Sequence, residues 1–519
     1  MSKGGETMCL RSARSLVWLF GCLALAALVL AGPSVRAADT SWTAGAGLWH
    51  ELTNWDNGLP TASVNAIINN GGTAQVLYVS STVQHRADTL YVGYQKVSTE
   101  TGSGYVEILT PLGAAGAGYL SVNQAYLGYA GTDSFGRLTC DGYFPISESS
   151  YSPSSLGVGG LLEVGRQGVG EVRIINSGMV NAQSCNIGAQ AGSSGDVLVS
   201  GKGSSLWVTG APGGPLNVGA YGQGRLTFAD GGHSNSWAGT NIAAYSGSTG
   251  TLEVRHTAGP DQPNLWTSHT EWTGRIVVGG RYDEGLGQPV AGGTGELIVA
   301  NNPDLGENHA AVYCIVQSPW SGGTVWVTSS GTITLTGGGE IGTVGNDVDD
   351  RGQVIIQHGG LLRGNGRIFS EVRNHGTISP GLSTGKLVAV YDYQQSDDGL
   401  LEIQLGGYNA GQAVDGFDRL EVLAGGASLA GELRIERLGS FTPNPGDIFE
   451  FLRTEGPIVG DFDAVTTVNF PSWMSAIVRA GDTPYPSRVI EIVPEPASLL
   501  LLGAGGVLLL RRRRLRGSR

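Results

Sequence analysis

The sequence is poor in charged residues and in proline, and each shortage excludes a class of protein. Only 14% of its 519 residues are charged, where about 25% is usual. Too few Lys and Glu remain to cover long surface helices, which excludes an all-α fold. Proline contributes only 21 residues and glycine follows no strict three-residue period, which excludes collagen.

Cysteine is scarce too, with five residues in the whole chain. Cys9 and Cys22 lie in the N-terminal leader described below. The other three, Cys140, Cys185 and Cys314, are odd in number and widely spaced, with no CxxC, which excludes a disulfide framework and a zinc site. We therefore predict that these three are buried as small hydrophobic side chains.

Motifs for catalysis and metal binding are missing as well. The sequence has no HExxH, GxSxG, phosphate loop, calcium-binding nonapeptide or EF-hand loop, and its eight histidines have no second His or Cys at ligand spacing. We expect no enzymatic activity, no cofactor and no metal site. Three clusters of aspartates could supply calcium ligands but are more typical of solvated bends. The clusters are Asp347, Asp349 and Asp350; Asp397 and Asp398; and Asp415 and Asp418.

Glycine and hydrophobic residues are what the chain has in quantity. It contains 85 glycines, and 40% of its residues are hydrophobic, enough to bury a long core and to exclude disorder. Residues 1–37 carry a net charge of +3 and residues 495–519 one of +5, so the total of −13 leaves −21 for the body. This composition predicts a large β protein with tight turns, and its charge argues against nucleic acid as a partner.

One pattern recurs along the body: an aliphatic residue and Gly, a polar bend, a second Gly, and a strand of alternating residues. Successive copies lie 23 to 37 residues apart, except for a last interval of 66 residues, where we expect a degenerate copy at residues 313–327. The copies begin at Val92-Gly93, Leu127-Gly128, Val164-Gly165, Ile187-Gly188, Val218-Gly219, Ile242-Ala243, Val278-Gly279 and Val344-Gly345.

The alternation predicts half-buried strands that stack. Arg225 and Thr227 face outward, and no single unit can close its own core. The Gly before each strand is expected to supply a positive φ at a sharp corner. We predict an all-β, right-handed parallel β-helix or related β-solenoid, with a sandwich or propeller as the alternative. Its inward rows would include Leu226, Phe228, Leu252, Val254, Leu297 and Val299.

Several copies resemble the autotransporter/PEP-CTERM-associated repeat. The resemblance is carried by VSGKGSSLW at residues 199–207, LNVG at 216–219 and TFADGG at 227–232, and it is clearest over residues 158–260. It implies a β-helical protein of the cell surface.

The segments that flank the repeats resemble caps. Trp42, Trp49 and Trp55 are expected to plug the open end of the helix, with a sugar-binding platform as the alternative. Residues 364–381 resemble the terminal coils of secreted β-helices. Residues 382–493 are predicted to form a C-terminal β-rich cap or a small sandwich.

The N-terminus has the pattern of a secretory signal peptide. Lys3, Arg11 and Arg14 precede an apolar run over residues 16–31, and small residues follow it up to Ala37. This pattern predicts export with cleavage after Ala37, and a retained membrane anchor is the alternative.

The C-terminus has three parts in a fixed order. Pro494-Glu495-Pro496 precedes an apolar run over residues 499–510, and an arginine cluster follows: Arg511, Arg512, Arg513, Arg514 and Arg516. The order resembles the PEP-CTERM sorting signal of exported proteins in Gram-negative bacteria that make extracellular polysaccharide. The resemblance implies transient anchoring in the inner membrane, with the arginines in the cytoplasm, and processing near the motif by an exosortase.

The apolar run is short for a transmembrane helix. Fourteen residues, 497–510, span about 21 Å as a helix, against a hydrocarbon core of roughly 30 Å. Length alone favours a buried helix, but arginine side chains that reach the headgroups offset the mismatch, so we expect a short transmembrane helix. Pro494 and Pro496 are expected to leave the motif without a helix or sheet partner.

These observations divide the chain into five parts: a signal peptide (1–37), a Trp-rich N-terminal cap (38–85), β-helix repeats (86–381), a C-terminal β-rich cap (382–493) and the sorting signal (494–519). We expect an exported, exosortase-sorted protein of the cell surface or extracellular matrix, with a structural or adhesive role and an association with exopolysaccharide. One alternative is a secreted polysaccharide lyase or glycosidase with carboxylates paired across coils. Another is an ice-binding protein, suggested by Thr332, Thr334 and Thr336.

Overall fold

The computed structural model describes eleven stretches of the chain. These are residues 38–80, 83–94, 102–110, 116–142, 153–210, 214–255, 275–301, 311–316, 323–345, 352–482 and 484–494, with backbone alone for 311–316 and 343–345. Apart from Ala38, these residues belong to one compact unit, Asp39–Arg519. The described residues include no helix long and apolar enough to span a membrane.

Strands make up most of the described chain, with one 3₁₀ turn at Leu52–Asn54. The N-terminal strands are β1 (Ala38–Ser41), β2 (Ala46–Leu48), β3 (Val64–Ile68), β4 (Asn70–Leu77), β5 (His85–Val92), β6 (Ser103–Leu109), β7 (Tyr119–Leu127), β8 (Phe135–Asp141), β9 (Ser155–Val164), β10 (Val169–Ile175), β11 (Met179–Ile187), β12 (Ser194–Ser200), β13 (Ser205–Val208) and β14 (Leu216–Val218). The central strands are β15 (Gln223–Ala229), β16 (His233–Ser236), β17 (Thr240–Ile242), β18 (Thr249–Arg255), β19 (Arg275–Val278), β20 (Gly280–Asp283), β21 (Gln288–Ala291), β22 (Thr294–Ala300), β23 (Ala311–Val316), β24 (Thr324–Val327), β25 (Gly331–Gly345), β26 (Gln353–Ile356), β27 (Leu361–Phe369) and β28 (Glu371–Asn374). The C-terminal strands are β29 (Thr377–Pro380), β30 (Lys386–Ala389), β31 (Tyr393–Gln395), β32 (Leu400–Leu405), β33 (Asn409–Ala410), β34 (Gly416–Phe417), β35 (Arg419–Val422), β36 (Ala427–Leu429), β37 (Glu432–Arg437), β38 (Ile448–Thr454), β39 (Ile458–Gly460), β40 (Ala464–Val468), β41 (Met474–Ala480) and β42 (Ser487–Pro494).

The strands form two long parallel ladders. The first ladder runs through β2, β4, β6, β8, β10, β12, β15, β18, β22, β25 and β27. The second ladder runs through β3, β5, β7, β9, β11, β14, β17, β19, β24, β26 and β28. Each turn of the chain adds a strand to both ladders, which is consistent with the predicted β-solenoid and confirms an almost entirely β fold.

The predicted inward rows are present. Leu226 pairs with Leu252 and Leu252 with Leu297, while Phe228, Val254 and Val299 form a second row, and all six side chains are buried. Arg225 faces outward and is exposed, but Thr227, between Leu198 and Glu253 on the same outer face, is buried. Burial of these rows supplies the hydrophobic stabilisation that no single coil can provide.

The two glycines of the repeat have roles that differ from the prediction. The corner is made by the glycine of the aliphatic-Gly pair: φ lies between 61° and 78° at Gly93, Gly128, Gly165, Gly188, Gly219 and Gly279. Ala243 adopts the same conformation, with φ of 57°, at the one corner that departs from Gly. The glycine before each strand is instead part of the strand, so the prediction of a positive φ there was wrong.

The glycines before the strands form an in-register row: Gly104, Gly136, Gly170, Gly195, Gly224, Gly250, Gly295 and Gly331. A Cβ at any of them would lie within 3.0 Å of backbone atoms of a corner or of the preceding coil. At Gly195, for example, it would meet the carbonyl oxygen of Val164 and the nitrogen of Gly188. Glycine is therefore required here by the close approach of the backbone.

The last repeats differ in register from the prediction. Gly295 pairs with Gly331, so the copy expected at residues 313–327 lies in β25 instead. The strand expected after Gly352 is β26, which pairs with β24 and β28 in the second ladder. The alternation of a strand shows which residues face the core, but strands of both ladders share it, so it does not identify the ladder.

Both ladders continue across residue 381. β29 pairs in parallel with β32, β32 with β37 and β37 with β40, while β31, β36 and β39 extend the second ladder. β42 pairs antiparallel with β38 and with β41. Parallel coils therefore continue up to Val468 within the segment predicted as a C-terminal β-rich cap or a small sandwich.

The tryptophans of the N-terminal segment are buried in the core. Trp55 contacts Trp42 and Trp49 edge to face, with ring centroids 5.1 and 4.9 Å apart. Trp55 Nε1 also donates a hydrogen bond to the carbonyl oxygen of Trp49 at 2.9 Å. Buried rings cannot form a sugar-binding platform, so these residues pack the N-terminal part of the solenoid.

Candidate functional site

The sorting motif lies at the edge of the described chain. β42 extends to Pro494, which lies opposite Met474 of β41. The expectation that this proline has no sheet partner was therefore wrong. Proline is tolerated at the end of a strand, where its missing N–H removes no internal ladder bond. Glu495, Pro496 and the arginine cluster of residues 511–516 lie outside the described residues, as does the signal peptide.

The acidic groups named from the sequence are only partly described. Asp347, Asp349 and Asp350 lie outside the described residues. Asp397 and Asp398 are exposed in a turn. Asp418 is buried, and its two carboxylate oxygens accept hydrogen bonds from the backbone N–H groups of Gly385 and Gln404, both at 2.7 Å. No group of three or more metal-ligating side chains occurs within the described residues.

Two of the three body cysteines are described, and both are buried in the core as predicted. Burial raises the pKa of Cys140 far above its usual value and that of Cys185 to about 12. Both thiols are thus protonated at physiological pH and poor nucleophiles. The side chain of Cys314 lies outside the described residues.

The threonine row of β25 is one strand wide. Thr332, Thr334 and Thr336 pair on one side with Glu296, Ile298 and Ala300 of β22. On the other side, Thr332 and Thr334 pair with Leu361 and Arg363 of β27. Since none of these neighbours is threonine, the row does not extend into the array that ice binding would require.

A cleft of about 620 Å³ on the first ladder has two carboxylates in its lining. Glu340 and Glu421 both line it, separated by Arg367 and Val388 along the ladder. Three strand spacings correspond to about 14 Å, more than the 6.5–9.5 Å or so between the carboxyl groups of inverting glycosidases. Glu421 is also paired with Lys386 at 3.3 Å and with Arg419 at 3.2 Å. The spacing in this cleft does not favour glycoside hydrolysis. Glu171 and Asp196 do pair directly across neighbouring coils, and Glu171 is held in an ion pair with Arg137 at 2.7 Å.

The most extended candidate site is a row of outward positions on the second ladder. Each position immediately precedes the aliphatic residue of a corner, as Tyr91 precedes Val92-Gly93. In register from β5 to β24, the row contains Tyr91, Tyr126, Glu163, Asn186, Asn217, Asn241, Val277 and Trp326. The row alternates with core residues, since the following residues, from Val92 to Val327, are buried. Within the row, Tyr126 and Val277 are themselves buried, and the other six are at least partly exposed. We call this row, together with the tyrosines and arginines beside it, the aromatic–amide stripe. The neighbouring residues are Tyr94, Tyr129, Tyr221, Tyr245, Tyr282, Arg166, Arg275 and Arg281.

A tyrosine cluster forms one end of the stripe. The rings of Tyr94 and Tyr129 stack with centroids 5.0 Å apart, and Tyr91 meets Tyr129 edge to face at 4.6 Å. The Arg166 guanidinium lies over the rings of Tyr126 and Tyr129, at 4.6 and 4.5 Å from their centroids. Burial, followed by the neighbouring tyrosines, raises the pKa of Tyr91 to about 12. The cluster is therefore a neutral aromatic surface with one cation on it.

Side-chain amides form the middle of the stripe. Asn241 Nδ2 donates to Asn217 Oδ1 at 2.9 Å, and Asn217 Nδ2 donates to Asn186 Oδ1 at 2.8 Å. Asn186 in turn hydrogen-bonds to the carboxylate of Glu163. The three amides are only half-buried, and each has a second N–H that the ladder does not use. Asn241 Oδ1 also accepts a hydrogen bond from the backbone N–H of Tyr282 at 3.3 Å. The result is a line of donors and acceptors open to solvent.

A hairpin and two stacked tyrosines form the other end of the stripe. β20 and β21 form an antiparallel hairpin that carries Tyr282, whose ring lies 5.4 Å from that of Trp326. Beside the amides, Tyr221 and Tyr245 stack almost parallel with centroids 4.1 Å apart, and Arg281 lies 4.9 Å from the centre of Tyr245. Tyr221 is 50% exposed. These aromatic faces are accessible to a ligand.

The sequence analysis missed this stripe, although the sequence contains a signal for it. The signal is the residue immediately before the aliphatic-Gly pair. In the first six copies this residue is Tyr, Tyr, Glu, Asn, Asn and Asn. The spacing between copies varies, and the residue types change from aromatic to amide. The common face therefore becomes evident only from the register of the strands.

Comparison with known proteins adds no identification. No protein-family model matches the chain, and no curated protein sequence matches it.

Proposed function

We propose that this chain is an exported protein with the right-handed form of the β-solenoid, sorted to the cell surface or extracellular matrix by an exosortase. There it acts as a structural or adhesive component in association with exopolysaccharide, without catalytic activity. The C-terminal helix anchors the precursor in the inner membrane, with Arg511–Arg514 and Arg516 on the cytoplasmic side. Pro494, Glu495 and Pro496 are substrate residues of the processing enzyme.

The observation that carries this proposal is the position of Pro494. β42 pairs up to Pro494, the first residue of the motif, and the rest of the motif lies outside the described residues. A sorting signal that follows the body directly can be separated from it without cutting a ladder. Outward carboxylates held in ion pairs, such as Glu171 with Arg137 at 2.7 Å and Glu253 with Arg225 at 2.7 Å, favour a structural surface over an acid–base site.

The proposal is tested by changing the motif in a host that has an exosortase. Glu495→Ala is expected to leave an intact, membrane-held precursor, whereas the parent chain is processed and loses the arginine cluster. Asp398→Ala, at an exposed turn of the body, is the matched control and should be processed normally. Immunoblots of membrane and extracellular fractions, with mass spectrometry of the C-terminus, provide the measurement. Processing of Glu495→Ala at the parental rate would overturn the proposal.

A further inference from the structure

We propose that the aromatic–amide stripe binds a neutral, linear polysaccharide lengthwise along the solenoid. This inference extends the proposed function. It depends on that proposal only for the natural source of the polysaccharide. Val277, which is buried, separates Trp326 from the rest of the row, so the continuous part of the stripe crosses six strands of the second ladder, from β5 to β17. At a strand spacing of about 4.8 Å this corresponds to a length of about 24 Å.

The chemistry of the stripe matches a chain of sugar rings. Tyrosine and tryptophan rings have apolar faces and polar edges, so they can pack against the C–H face of a pyranose while leaving its hydroxyls hydrated. Half-buried amides such as Asn217 both donate and accept hydrogen bonds, as sugar hydroxyls do. The aromatic ends and the amide middle thus offer both kinds of contact along one line.

The charges of the stripe favour an uncharged ligand. The guanidinium of Arg166 is paired with Glu163 at 3.2 Å, that of Arg275 with Glu284 at 2.8 Å and that of Arg281 with Asp283 at 3.2 Å. Each cation of the stripe therefore has an anion beside it, and the body as a whole carries a charge of −21. A polyanion, whether nucleic acid or polyuronate, would be repelled.

The direction of the stripe predicts that affinity depends on the length of the ligand. Successive strands place equivalent positions at regular intervals, so each additional sugar of a linear chain meets another strand until the stripe is filled. We expect binding of oligosaccharides to strengthen with length and then to level off. Affinity that is independent of length above a disaccharide would contradict lengthwise binding.

The test uses the purified full chain in detergent and a set of soluble neutral polysaccharides: a linear glucan, a mannan, a galactan and a xylan. Tyr221→Ala/Tyr245→Ala removes the exposed stack and is expected to weaken binding by about tenfold or more. Tyr221→Phe/Tyr245→Phe keeps the rings and should bind within about threefold of the parent. Trp473→Ala is the matched control, because Trp473 is a large aromatic residue, 46% exposed, outside the stripe.

Every outcome bears on the proposal. Loss of binding only in the alanine variant, at an unchanged melting temperature, supports it. Absence of binding to all four neutral polysaccharides, equal binding by the alanine variant, or binding only of alginate or single-stranded DNA would overturn it. None of these results depends on processing at Glu495, so failure of the stripe and failure of the sorting proposal can be told apart.

Discussion

At the scale of single residues, glycine at the start of each first-ladder strand is required by the close approach of the backbone. Glycine at each corner is favoured both by a positive φ and by backbone atoms within 2.5 Å of the position that a Cβ would take. Ala243 shows that a corner admits a Cβ, at the cost of a left-handed backbone that L-residues disfavour by about 1–2 kcal/mol. At Gly195, in the row at the strand starts, there is no room for a Cβ, because it would lie 2.2 Å from the carbonyl oxygen of Val164 and 2.6 Å from the nitrogen of Gly188. The two glycines of the repeat therefore differ in backbone conformation, since only the corner glycine has a positive φ, while both lie against neighbouring backbone atoms.

Gly195→Ala is accordingly expected to lower the stability of the chain by about 2–4 kcal/mol, since two backbones must separate to admit the methyl group. Gly45→Ala is the matched control: its Cβ would have no heavy atom within 4 Å, and its φ is not positive. The control should be neutral or stabilising by a few tenths of a kcal/mol. Chemical denaturation of the two variants beside the parent provides the measurement, and equal midpoints for Gly195→Ala and Gly45→Ala would refute the spatial argument.

At the scale of strands and coils, the hydrophobic rows link neighbouring repeats. Phe228 lies between Val199 and Val254 in its row and is fully buried. Phe228→Ala should cost about 3–5 kcal/mol, because it leaves a cavity that the stiff ladders cannot close. Arg225→Ala in the same strand removes an outward side chain, 57% exposed, and its ion pair with Glu253, and should cost less than about 1 kcal/mol.

Hydrogen exchange resolved by mass spectrometry can check this prediction. Protection should fall in β12, β15 and β18 for Phe228→Ala, because the coils contact only their neighbours, and remain at parental levels in β37 and β38. A uniform loss of protection along the chain would show that the solenoid unfolds as one unit. No change in any strand would show that the row is not a core.

The sequence was sufficient to predict strands and core faces but not the pairing of distant strands. Leu226 and Phe228 could be placed inside because alternation is a local property. β26 was assigned to the wrong ladder because its residues alternate in the same way as those of β22. The stripe was missed because Tyr126, Glu163 and Asn186 share no residue type, and only the register places them side by side.

At the scale of the whole molecule, the sequence predicts a boundary at residue 381 between the repeats and a C-terminal cap. The two ladders, however, continue across this residue. Ile378 pairs with Leu401, and Ala389 of β30 lies between Ile368 and Val422. These side chains are buried on both sides of residue 381. The repeats thus share their core with the segment that follows them.

A chain that ends at residue 381 should therefore be less stable than one that ends at residue 494. Truncation would remove the strands that cover β27 and β29, and each large side chain so exposed costs about 1.5–3 kcal/mol. We expect residues 38–381 to melt at a lower temperature than residues 38–494, to bind a hydrophobic dye and to associate in size-exclusion chromatography, because parallel edge strands left uncovered pair with other chains. A monomeric 38–381 fragment with the melting temperature of the longer chain would instead establish residues 382–493 as an independent cap.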